Sequence, residues 1–182
     1  FDASGGLAVS EVNWVDDFGQ AITVSLATPF TDGTEFTISI SGVEDCAGIS
    51  MATETFRFAS GDEPQLFDLL ITEIMANPTP SAGLPEAEHV EIYNASNKIL
   101  SLNGVVLADK VSASYLANST IKPGEYLILT PSANASSFEA YGDVMTLLTW
   151  PNLNNDSDKL SLYNKSGDEI FTLTYAQSWY RS

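Results

Sequence analysis

Four side chains stand out as able to move protons: Glu73, Glu88, Glu91 and His89. Paired carboxylates are the machinery of glycoside hydrolysis. His89 is the only histidine, the residue type that titrates nearest neutral pH. A Ser-His-Asp relay also needs a presented nucleophile, and no Gly-x-Ser-x-Gly elbow exists to present one. Strand parity sends Glu88 and Glu91 to opposite faces of one strand, so only one of them can face Glu73. No aromatic-walled cleft is evident beside them. The favoured roles are structural: carboxylates bonded to loop amides, and His89 an ordinary surface or edge residue. No catalytic residue is assigned, and the chain is expected not to be an enzyme.

Metal binding is the next chemistry to weigh. Zinc is disfavoured, because His89 and Cys46 are one residue of each type, far apart in sequence. Calcium asks for several oxygen ligands. The run Asn154-Asn155-Asp156-Ser157-Asp158 is compact and oxygen-rich, which makes Asn154, Asp156 and Asp158 the calcium candidates. It lacks the glycine and the distal glutamate of an EF-hand loop. The competing and favoured reading is a hairpin turn whose side chains bond their own backbone. Asp16-Asp17 and Glu44-Asp45 are weaker candidates. No other cofactor is expected.

Aromatic residues near loops could stack on sugars or cover a neighbouring domain. Trp150, Trp179 and Tyr180 are those residues, although tryptophan more often packs on a core edge. Five Asn-x-Ser/Thr sequons begin at Asn94, Asn118, Asn134, Asn155 and Asn164. In an Asn/Ser-rich chain such triplets arise by composition.

Charge narrows the partners. Lys and Arg total 7 against 24 Asp and Glu, a formal net charge of −17 over 182 residues. That surface repels phosphate backbones and anionic lipid, so nucleic-acid binding is excluded as an expectation. No apolar run is long enough to cross a membrane. A single cysteine rules out an intrachain disulfide, which fits a bacterial surface protein or a reducing compartment. The chain opens at Phe1-Asp2-Ala3 without a methionine and reads as an internal fragment.

The elements that must carry these residues are strands. Ile22, Val24 and Leu26 alternate with polar residues, as do Phe36, Ile38 and Ile40. Phe56 and Phe58 flank Arg57, and a fourth strand is expected over residues 8–14. Period two with β-branched and aromatic residues means half-buried strands. Residues 61–68, containing Pro64, read as a short polar linker. Beyond it, Leu69, Ile71 and Glu73 share one face by parity, and Val90 and Ile92 another opposed to His89, Glu91 and Tyr93. Residues 132–141 suggest one short helix with Phe138 and Tyr141 on its apolar side. Leu160 and Leu162, a Lys165-Ser166-Gly167-Asp168 turn, and a returning strand 170–175 make a clear hairpin.

The order Ile-Thr-Glu-Ile (71–74), Glu-His-Val-Glu-Ile-Tyr-Asn (88–94), Pro-Gly-Glu-Tyr-Leu-Ile-Leu (123–129) and Leu-Asn-Asn-Asp-x-Asp-x-Leu (153–160) resembles the lamin-tail domain of the bacterial type. The resemblance implies an immunoglobulin-like β-sandwich without chemistry of its own over 69–182. The run DGTEFTISISGVEDCAGISM (32–51) resembles the closing half of bacterial Ig-like surface domains, with Val43, Asp45, Ala47 and Gly48 matching and Ile49 standing where Asn is usual. Four strands are fewer than the roughly seven of an Ig sandwich. The expected fold class is therefore all-β, two Ig-like sandwich modules, the first incomplete (1–60), with its missing strands upstream of Phe1.

Three functions follow as expectations. The leading one is a non-catalytic binding, targeting or spacer module pair of a bacterial secreted or cell-surface protein. Its partners would be neighbouring domains of the same polypeptide, or a protein or glycan at the cell surface. The second is a carbohydrate-binding accessory module of a secreted enzyme. The third is a nuclear-lamina-type interaction domain, against which the charge and the missing coiled-coil heptads speak.

Overall fold

A computed structural model describes residues 2–3, 8–15, 21–29, 33–44, 47–80 and 83–179, with backbone alone at 2–3, 14 and 57–58. Asp16, Asp17, Asp45, Cys46 and Tyr180 lie outside the described residues. The chain divides into two compact units, Phe1–Ser60 and Gly61–Ser182. It is all-β, and the strands fall in several sheets.

The first unit holds β1 (Asp2–Ala3), β2 (Val9–Trp14), β3 (Ile22–Leu26), β4 (Thr34–Ile40) and β5 (Glu54–Ser60). β2 and β3 form an antiparallel pair. β4 lies between β1 and β5, with Phe36 opposite Phe58 and Ile38 opposite Phe56. The two-residue β1 has too few residues to show a period and was not visible as a pattern. Of the apolar side chains on these strands, Phe36 is buried; Ile22, Val24, Leu26, Ile38 and Ile40 are half-buried. Phe56 stays 55 % exposed, and the Phe58 side chain is outside the described set.

In the second unit the strands are β6 (Leu69–Met75), β7 (His89–Asn94), β8 (Leu100–Ser101), β9 (Val106–Ala108), β10 (Ala113–Tyr115), β11 (Thr120–Ile121), β12 (Tyr126–Pro131), β13 (Val144–Leu147), β14 (Ser157–Tyr163) and β15 (Glu169–Ala176). One sheet has the order β13-β12-β7-β6, the other β10-β9-β14-β15, with β11 and β8 as a separate pair. Among the described residues the strand pairs are antiparallel except β12 with β13, and an isolated parallel bridge joins Asp62 to Leu100. Alternation decides the inner faces. Val90, Ile92, Leu129, Leu160 and Leu162 are fully enclosed in one core with Leu69, Leu107 and Tyr175. Each such side chain contributes about 1.5–3 kcal/mol of burial. This is the immunoglobulin-like sandwich expected over the second half.

The parity expected for β6 does not hold along its whole length. The register slips between Ile71, opposite Ile92, and Glu73, opposite Glu91. Thr72 is the extra residue of a β-bulge. Glu73 therefore turns outward, and Ile74 packs against the core in its place. Residues 132–141 form less helix than expected: a 3-10 turn at Ser132–Asn134 and one α turn, α1 (Ala135–Phe138). Phe138 is buried, whereas Tyr141 is exposed and donates its hydroxyl to the Gly83 carbonyl.

Residues 61–68 are no free linker. Asp62 N–H donates to the Ile99 carbonyl, and Ser101 N–H donates to the Asp62 carbonyl. Pro64 is buried and its carbonyl accepts from Asn164 Nδ2 at 3.2 Å. At Gly61 any β-carbon would collide with the backbone of Leu100 and Ser101, so the close approach requires glycine.

Candidate functional site

The bulge brings the chemistry-bearing residues of β6 and β7 together on the outer face of their sheet. His89 Nε2 lies 3.3 Å from Glu73 Oε1, and its Nδ1 lies 3.3 Å from the Ala87 carbonyl. The His89 ring packs on Phe138 at a centroid distance of 4.8 Å. His89 is only 3 % exposed. This corrects the surface or edge reading: the outward-pointing histidine is roofed by Phe138 of α1. Glu91, opposite Glu73, accepts from Thr72 Oγ1 at 2.7 Å. Two carboxylates and an imidazole thus share one patch, but each carboxylate already has a partner.

Glu88 is separate from that patch. Its Oε2 accepts from Trp150 Nε1 at 2.6 Å. Partial burial raises the Glu88 carboxyl above its ordinary range, and the bond from Trp150 offsets part of that rise. Trp150 itself packs against the main core. Its ring is a structural edge piece with a satisfied N–H, not a free platform. Trp179 differs. It follows β15 in a 3-10 turn, is 61 % exposed, and borders a groove of about 170 Å³ with Ile71, Thr72, Glu73, Ile74, Leu173 and Tyr175.

The oxygen-rich turn before β14 is largely self-satisfied. Asn154 Nδ2 donates to Asp158 Oδ2 at 2.7 Å, and Lys159 N–H donates to Asp158 Oδ1 at 2.8 Å. Asp158 is 1 % exposed. Asp156 is exposed, and its carbonyl accepts from Gln177 N–H. The structure brings Asn154 and Asp158 together through an amide donor, which a cation would have to displace. Among the described residues no group of three or more His, Cys, Asp and Glu could hold a metal ion. In the first unit Glu44 accepts from Ser50 Oγ at 3.1 Å.

Two residues escaped sequence reasoning. Asn94 is buried and donates Nδ2 to the carbonyls of Lys98 (2.8 Å) and Ile121 (2.9 Å), while its Oδ1 accepts from Ser96 N–H. Asn164 repeats the device in the other sheet, accepting from Asp168 N–H and donating to Pro64. Both follow an apolar-Tyr pair, as Ile92-Tyr93-Asn94-Ala95-Ser96 and Leu162-Tyr163-Asn164-Lys165-Ser166. The shared tract is the available signal, which by sequence alone passes as sequon triplets arising by composition. These asparagines knit turns at the strand ends.

The Lamin Tail Domain family model matches residues 63–177. The chain belongs to the lamin tail domain family. A search of curated proteins gives no significant match. The lamin tail domain match begins at Glu63, within the segment that the hydrogen bonds of Asp62, Glu63 and Pro64 attach to the sandwich. Family membership describes an Ig-like domain and is compatible with a non-catalytic module.

Proposed function

We propose that this chain is a non-catalytic binding, targeting or spacer module pair of a bacterial secreted or cell-surface protein. The observation that carries the reading is the state of the carboxylates on the lamin tail domain. Glu73 faces His89, Glu88 holds Trp150 and Glu91 holds Thr72. Groups committed to holding strands and loops in place support a scaffold. The net charge of −17 and the single cysteine support an exposed, disulfide-free surface module. The first unit is, in this reading, the later half of a bacterial Ig-like domain, which the exposure of Phe56 supports. Fractionation of the source cells, probed with an antibody against residues 61–182, tests the placement. Signal in the envelope or medium is expected, and confinement to the cytosol would overturn it.

The carbohydrate-binding alternative has one observation in its favour: the exposed ring of Trp179 beside Glu73 at the groove between β6 and β15. An aromatic face next to a hydroxyl-accepting carboxylate suits a sugar. A glycan array with the wild type and Trp179→Ala checks it. Binding lost in the variant supports this reading, and no binding by the wild type removes it.

A further inference from the structure

The sandwich has an open side where two strand edges border one groove. β13 pairs only with β12, and β11 only with β8, among the described residues. Both strands line a groove of about 440 Å³, together with Glu125, Tyr126 and Leu127. The ladder geometry says which backbone groups are free. Ile128 N–H donates to the Asp143 carbonyl, and Ile128 is registered with Val144 and Thr130 with Thr146. In a parallel pair, alternate residues of a strand serve a given neighbour. Met145 and Leu147 therefore serve β12, while Val144 and Thr146 turn N–H and C=O to the open side.

We propose that this groove binds an extended, basic peptide segment as an added strand on β13. β13 has four residues, so the pairing length is about 13 Å. The backbone supplies the affinity and alternate side-chain sites the selectivity. Met145 and Ile121, nearly buried, form an apolar floor for the inward side chains. The charge requirement comes from Asp143 and Glu125, both lining the groove, with no Lys, Arg or His among the lining residues. A chain at −17 adds a long-range field of the same sign. Occupation would pair an edge that is otherwise open to aggregation.

The inference rests on the binding-module reading but fails separately from it, since fractionation tests the compartment and peptide titration tests the groove. The probe is a fluorescent Lys-Val-Lys-Val-Lys-Val peptide, titrated with the full chain by anisotropy. Two controls keep its charge: the same peptide N-methylated at alternate backbone nitrogens, and the Thr146→Pro protein. That proline removes only an outward N–H, which an edge strand tolerates. Saturable binding weakened about tenfold by either control is expected, the effect of losing one or two backbone bonds. Glu125→Gln with Asp143→Asn should weaken it severalfold. Equal binding of the N-methylated peptide would overturn the proposal, leaving only non-specific charge attraction, and that control stands even where Thr146→Pro misfolds. Absence of saturation would overturn it too. Peptide-independent dimerisation abolished by Thr146→Pro would show that a second copy, not a basic peptide, occupies the edge.

Discussion

At the residue scale, the side chains that first suggest chemistry are employed in architecture. Glu88 shows the distinction in measurable form. Its folded-state carboxyl titrates above the ordinary 4.5, chiefly from partial burial. A raised folded pKa means that the protonated form is favoured by folding. That stability is fully present below 4.5 and fades as pH rises through the folded value. Glu88→Gln keeps an acceptor for Trp150 Nε1 and cannot ionise. Thermal melts from pH 4.5 to 7 should show the variant gaining on the wild type as pH rises. The gain should stay below about 1 kcal/mol, since water screens a partly exposed carboxylate. A variant that loses ground toward neutral pH would mean that the ionised carboxylate is the favoured partner of Trp150.

The element scale is governed by the bulge in β6. Without the bulge, strict alternation through Thr72 would carry Glu73 inward beside Ile71 and leave Ile74 outside. With it, Glu73 reaches His89, and Ile74 joins the core opposite Val90. A bulge adds a residue to one strand without changing the register beyond it. Deleting Thr72 should therefore restore a regular strand, with Leu69, Ile71 and the former Ile74 still facing the core. We expect a folded protein with native-like circular dichroism and a loss of about 1 kcal/mol, the scale of a typical single change. Deleting Ile71 instead lets Thr72 take the inward place opposite Ile92, so the strand keeps its register but loses a core isoleucine, and should cost about 2–5 kcal/mol. Equal damage from the two deletions would show that Thr72 is not the inserted residue.

For the whole molecule, the boundary between units falls at Ser60. Residues 61–68 belong to the sandwich through several contacts. Ser166 N–H donates to Glu63 Oε1 at 2.7 Å, Phe67 N–H to the Ile170 carbonyl, and Ala95 N–H to the Asp68 carbonyl. A fragment of residues 61–182 should fold with a single cooperative melt. A fragment of 69–182 should lose about 2–5 kcal/mol, from several hydrogen bonds and a buried Asn164 left without its Pro64 partner. Urea titrations of the two fragments make the comparison. Equal stabilities would restore the linker reading of residues 61–68.

The sequence by itself determined the fold class and most of the strands. Val90 and Ile92, Leu160 and Leu162, and the hairpin around Gly167 declare themselves because strand periodicity and turn chemistry are local. The order of the strands carried the family as well. Tertiary structure alone decided what each polar residue does. Whether His89 is exposed depends on Phe138, about fifty residues away. Whether Asn94 is a turn residue or a buried hub depends on Ile121, and whether Pro64 lies in a linker depends on Asn164. The bulge at Thr72 has no local signature, because it is defined by a mismatch with another strand. Burial and hydrogen-bond satisfaction are properties of contacts distant in sequence, and no short-range pattern encodes them. The open edge of β13 is likewise a fact of pairing, visible only when every other strand has found its neighbour.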